Sequence, residues 1–147
     1  MEKQGFTLVE LLVVIAVLAV LATSVMIFIN PAKRFKQAND ARIKADINQI
    51  AKALMAHYTI RWHYPTAAEG GLAALVADSD LRTSPSPPPG GAANYSYNAN
   101  GACGVSPYSG CEATLYYALR NPLIAGNVWC WQSKTGTATE IATCPVP

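Results

Sequence analysis

The chain has 147 residues, a net charge of +2 and a mean hydropathy of +0.17, so removing a membrane segment from its front leaves roughly 120 residues, one small domain, to fold in water. From Asn30 to Ala56 six basic residues (Lys33, Arg34, Lys36, Arg42, Lys44, Lys52) are set against Asp40 and Asp46, whereas from His57 onward four basic residues meet five acidic ones. The body of the protein is therefore not a polyanion binder.

Phe6 to Ile29 is an apolar run of about 24 residues broken only by Thr7, Glu10, Thr23 and Ser24, and as a helix it reaches roughly 36 Å, enough to span a bilayer. It is too long for the core of an ordinary secretory signal, and "LATSVMIFIN" offers only weak cleavage sites at its far end. Lys33, Arg34 and Lys36 outnumber the single Lys3, which by the positive-inside rule would put the C-terminal side in the cytoplasm. The cysteines argue the opposite orientation, and theirs is the stronger signal.

Asn30-Pro31 follows at once, and a proline there removes a backbone hydrogen bond and bends or breaks a helix. The helical pattern then resumes. Ile43, Ile47, Ile50, Leu54 and Tyr58 form one apolar stripe, with Arg42, Lys44, Asp46, Gln49 and Lys52 mostly off it. The simplest expectation is one long helix from Phe6 to about Tyr58, roughly 80 Å, apolar all round in its first half and amphipathic in its second.

After Tyr64-Pro65, "GGLAALVAD" predicts one short helix and "TSPSPPPGGAAN" an irregular connection. Strands are predicted over 94–98, 114–119, 128–133 and 138–143, with a hairpin turn at Lys134-Thr135-Gly136. A small antiparallel sheet laid on the isoleucine stripe buries both apolar faces, giving an α+β fold with a long N-terminal helix, transmembrane then amphipathic, packed on a small C-terminal β-sheet. Cys103, Cys111, Cys130 and Cys144 all lie in the last third, with neither a CxxC nor zinc-ligand spacing. They predict two disulfides in an oxidising space outside the cytoplasm. Of the three pairings, Cys103–Cys111 with Cys130–Cys144 is favoured, because "GVSPYSG" is a turn-rich loop and the second bridge ties down a C-terminal hairpin.

"GFTLVELLVVIAVLAVLA" closely resembles the N-terminus of type IV prepilins and pseudopilins, in the leader glycine Gly5, Phe6, Thr-Leu-Val and Glu10, and "AKRFKQANDARIKADINQIAKAL" resembles the second half of the long pilin helix. Beyond about Tyr58 the likeness is one of architecture. The resemblance implies a pilin-like fold divided into a leader 1–5 that is removed, a transmembrane and filament-core helix 6–29, its amphipathic continuation 30–58, and a β-rich head 59–147. It implies cleavage between Gly5 and Phe6 by a prepilin peptidase, and N-methylation of Phe6. The mature subunit then waits in the cytoplasmic membrane until an assembly ATPase and platform protein drive it into a homo-oligomeric helical filament at the cell surface. Glu10 and the new Phe6 amine are the implied assembly pair, and Pro31 marks a region where pilin helices melt locally to suit packing.

A lone carboxylate in hydrocarbon is expensive, by about 2.5 to 3.5 kcal/mol on insertion scales; the alternative to the assembly role is that Glu10 reaches the headgroups. His57 and His63, six apart, do not fall on one helix face and read as surface or packing residues. Asp78, Ser79 and Asp80 form no nucleophile–base arrangement that sequence reveals. No enzyme, cofactor or metal site is expected: "SPSPPPGGAANYSYNANG" lacks the acids from which major pseudopilins of type II secretion build a calcium site. Trp62, Tyr58, Tyr64, Trp129 and Trp131 read as packing residues rather than an adhesive patch. A contact of the basic band with DNA has no further support; lipid phosphates are its simpler partner. A structural subunit of a type IV pilus leads. A pseudopilin of a secretion or competence pseudopilus is the alternative, and an unprocessed membrane-tethered binding domain is the third reading.

Overall fold

The computed structural model describes residues 5–147, and for residues 26–29 the backbone alone. Lys3 and the rest of the expected leader before Gly5 lie outside the described residues. The chain falls into two compact units, one ending at Phe35 and the other running Lys36–Pro147.

Helix α1, Leu8–Ile29, is 22 residues long, and α2, Pro31–Arg61, is 31. The single uninterrupted helix expected from Phe6 to Tyr58 is thus two helices, the first starting later and the second ending later. The break has a local cause. A residue before proline is disfavoured in the right-handed helical region, and Asn30 instead takes φ 44°, ψ 76°, a left-handed conformation that asparagine tolerates. Its Oδ1 accepts the Lys33 N–H at 3.3 Å, so the residue that closes α1 also caps α2. Pro31 sits at the first position of α2, where its missing N–H leaves no bond unmade.

In the second unit the stripe behaves as its spacing predicts. Ile43, Ile47, Ile50 and Leu54 are fully buried, and Ala51, Ala53 and His57 widen the face. Each such aliphatic contributes about 1.5 to 3 kcal/mol on burial. Against this face lies a four-stranded antiparallel meander, in the order β1 (Ser96–Ala99), β2 (Ala113–Ala118), β3 (Val128–Gln132) and β4 (Thr137–Ile141). Leu115 opposite Trp131 and Tyr117 opposite Trp129 set the register that turns the large side chains of β2 and β3 toward α2. The β3–β4 turn closes at Gly136, whose φ of 67° suits glycine. A short helix α3, Leu72–Ala77, adds Leu75 to the core.

Polar clasps fix α2 to the sheet. Asp40, buried near the start of the face, accepts the backbone N–H groups of Arg120 at 2.6 Å and Asn121 at 2.7 Å, just beyond β2. The Arg120 side chain in turn donates to the carbonyls of Pro88 and Pro89, at 3.1 and 2.9 Å. This draws the proline-rich connection over the sheet, and there Gly91 is required: a Cβ would lie 2.6 Å from the Tyr117 hydroxyl. Tyr95 donates its hydroxyl to Asp46 at 2.6 Å, tying the approach to β1 to the middle of α2.

Asp40→Ala leaves the part-buried backbone N–H groups of Arg120 and Asn121 without this acceptor. We expect it to destabilise the head by about 2 to 4 kcal/mol, read as a lowered urea midpoint in tryptophan fluorescence of the detergent-solubilised chain.

Candidate functional site

Gly5 and Phe6 precede the first helical residue, and Phe6 is exposed. A Cβ added at Gly5 would meet nothing within 4 Å, so the chain's own packing does not demand glycine there. Thr7 then caps α1 through a reciprocal pair: its hydroxyl accepts the Glu10 N–H at 3.3 Å, and Glu10 Oε2 accepts the Thr7 N–H at 3.1 Å and the Thr7 hydroxyl at 3.0 Å. This is a capping box. The carboxylate that the sequence leaves without a local partner thus has one three residues away. The signal was present as a Thr-x-x-Glu spacing ahead of an apolar run.

From Leu8 to Val25 the helix is long and apolar enough to cross a membrane, and none of that stretch is buried by the rest of the chain. Its two interior polar side chains are satisfied within the helix. Thr23 donates to the Ala19 and Val20 carbonyls and Ser24 to that of Val20, so neither hydroxyl presents an unmet donor to hydrocarbon.

In the head, disulfides join Cys103 to Cys111 and Cys130 to Cys144. The first closes the loop between β1 and β2; the second holds the C-terminal tail against the outer side of β3. The aromatics pack in sequence: Tyr58 stacks on Tyr64 at 4.8 Å and Tyr64 meets Trp131 edge-on at 6.1 Å. Lys44 lies over the Trp129 ring at 4.4 Å, while Trp62 remains exposed.

The histidines converge where sequence spacing kept them apart. The helix stops at Arg61, Trp62 turns the chain at φ 66°, and His63 comes back beside His57 with ring centroids 5.7 Å apart. His57 Nδ1 lies 2.8 Å from Asp80 and 3.7 Å from Asp78, which Arg61 pairs at 2.7 Å. The potential ligand atoms of His57, Asp78 and Asp80 fall within 4.8 Å of one another. Asp80 lies against His57 and Asp78 pairs with Arg61, so the group pins the loop after α3 to the end of α2. His63 joins Glu69, at 3.1 Å, to a second capping box at Thr66, on the 3-10 turn Ala67–Glu69. That turn was not foreseen, although Thr66-Ala-Ala-Glu69 repeats the spacing of the first box.

Residues 1–26 match the family model of the prokaryotic N-terminal methylation motif. No curated protein and no solved structure matches the chain. The motif ends within α1, so the head is described by its own geometry alone.

The Thr66 backbone N–H first, then the Thr66 hydroxyl and His63, hold the Glu69 carboxyl below its ordinary value against the opposing effect of burial. A depressed folded value means the cap contributes fully above the unfolded carboxylate range and is lost as the pH falls through the folded value. Acidification below about pH 4.5 should therefore loosen residues 66–70 in hydrogen exchange, and Glu69→Gln should flatten that acid dependence.

Proposed function

We propose that this chain, a member of the type IV pilin and pseudopilin family by its N-terminal methylation motif, is a structural subunit of a type IV pilus filament. The observation that carries the reading is Gly5-Phe6-Thr7 set directly before a 22-residue apolar helix with one carboxylate, Glu10, in its first turn. An apolar helix of this length needs either lipid or copies of itself to cover it. The subunit uses both in turn. It rests in the cytoplasmic membrane with the disulfide-bonded head outside, and on assembly its helix joins the others in the filament core.

Processing between Gly5 and Phe6 by a prepilin peptidase, with N-methylation of Phe6, supplies the cationic partner that Glu10 lacks in hydrocarbon. Before assembly the Thr7 N–H and hydroxyl hold the carboxylate. In the filament the Phe6 amine of a neighbouring subunit approaches it in an apolar setting, where the charged pair is worth far more than in water. The break at Asn30 and Pro31 divides the lipid-length segment from the amphipathic one, and we assign it as the place where the helix accommodates packing. The assembly platform and its ATPase are the remaining partners of this reading.

Gly5→Val should give an unprocessed membrane protein that makes no filament, measured as the N-terminal mass of the membrane-extracted chain. Normal processing and filaments in that variant would defeat the assignment, and an unprocessed monomeric wild type would leave a membrane-tethered domain. Glu10→Gln should be inserted and cleaved normally yet fail to assemble, because leaving one partner of a buried pair unmatched costs about 3 to 5 kcal/mol at each subunit. Filament yield in sheared fractions, viewed by electron microscopy, reads this. Wild-type yield with Gln at this position would show that the charge is not needed, and processed chains with no long surface filaments would instead indicate a periplasmic pseudopilus.

A further inference from the structure

We infer that His63 is a proton-operated clasp joining the end of α2, the 3-10 turn at Thr66–Glu69 and the disulfide loop Cys103–Cys111. The argument rests on what its two ring nitrogens face. Nδ1 lies 3.0 Å from the Arg61 carbonyl oxygen and Nε2 lies 3.1 Å from Glu69 Oε1. A backbone carbonyl and an ionised carboxylate only accept, and a neutral imidazole carries a single N–H. The doubly protonated ring alone makes both bonds. Removing either proton turns one bond into a contact between two lone pairs beside a side chain that is only 11% exposed.

The surroundings suit a cation. The Tyr108 ring stacks on His63 with centroids 4.6 Å apart and planes 24° from parallel, offering its negative face to the charge. Glu69 supplies the opposite charge and is itself held by Thr66. The other charged and titratable groups nearby face away or through an intermediary. His57 meets the ring edge-on and spends its Nδ1 on Asp80 and Asp78. The Arg61 guanidinium is paired with Asp78, and the Tyr97 hydroxyl donates to the Pro65 carbonyl. His57 differs from His63 in the respect that matters: one N–H satisfies its carboxylate partners, so its hydrogen bonding does not require a second proton.

Three segments depend on the clasp. Arg61 is the last residue of α2, Glu69 closes the capping box, and Tyr108 sits inside the loop bridged by Cys103 and Cys111. Lighter contacts run alongside it, among them the Tyr64 N–H to Cys111 Sγ at 3.2 Å. In the protonated state this corner of the head is closed. Loss of a ring proton releases it, while the sheet and the isoleucine stripe stay folded.

The test uses the full chain in detergent micelles, with ring nitrogen chemical shifts and amide hydrogen exchange followed from about pH 5 to pH 8. Both His63 nitrogens should carry protons at the acid end. Across the titration, amide protection over residues 62–70 and 103–111 should fall roughly tenfold, the equivalent of one buried hydrogen bond, with no matching change in β2 and β3. His63→Phe keeps a ring for Tyr108 and removes both bonds; it should abolish the pH response at those two segments while leaving any response at residues 78–81. Glu69→Ala removes one acceptor but leaves disulfide and stack intact, and should abolish it as well even if His63→Phe folds poorly. A single neutral tautomer of His63 at pH 5 would overturn the inference, as would unchanged protection across the titration or a response that survives in Glu69→Ala.

Discussion

One face of one helix determines where every later element of the head can lie. Ile43, Ile47, Ile50 and Leu54 are the fully buried aliphatic residues of α2, and the four strands that follow are short, with an apolar face that has to be covered. The meander gains its stability by laying Leu115, Tyr117 and Trp131 on that face. Loops then acquire their positions second-hand: Asp40 and Asp46, on the same helix, capture the segment after β2 and the approach to β1. A helix of this kind is polar on its other side, which keeps the head's core to a single layer against a single sheet.

The N-terminal segment answers to a different solvent. In α1 the same 3.6-residue period carries no polar side, and the two hydroxyls it does contain are turned back onto its own backbone. Glu10 is tolerated because the chain supplies Thr7 as a nearby set of donors. In the assembly we propose, the capping box and the intersubunit pair would be successive partners of one carboxylate, an exchange of hydrogen-bond partners that gives the charge a donor at both ends.

The main helices and the sheet were legible because their signals are periodic and local: an unbroken apolar run, a stripe at spacings of four and three, alternating strands around a Lys-Thr-Gly turn. The favoured cysteine pairing followed from loop lengths, and the structure contains the same two bridges. What escaped was set by single backbone conformations. The helical interruption was read as a property of Pro31, yet the residue that changes conformation is Asn30. The meeting of His57 and His63 depends on Trp62 reversing the chain, and Asp78 and Asp80 reach His57 because Ser79 between them also has a positive φ, 66°. Tryptophan and serine carry no turn signal strong enough to predict such geometry. The two capping boxes are visible only as a Thr-x-x-Glu spacing, a local signal that neither hydropathy nor helical periodicity reports.

The position of the two disulfides has a mechanical meaning. Both cross-links lie beyond residue 100, one within the loop that follows β1 and the other between β3 and the tail. No covalent bridge runs from α2 to the sheet. Tension applied along the helix is therefore borne by the packing of isoleucine side chains and by polar clasps such as Asp40, while each disulfide lies within the sheet side of the head. Under load the weak plane of the head lies between helix and sheet, and the part that would peel away stays internally cross-linked and able to seat itself again on the same stripe.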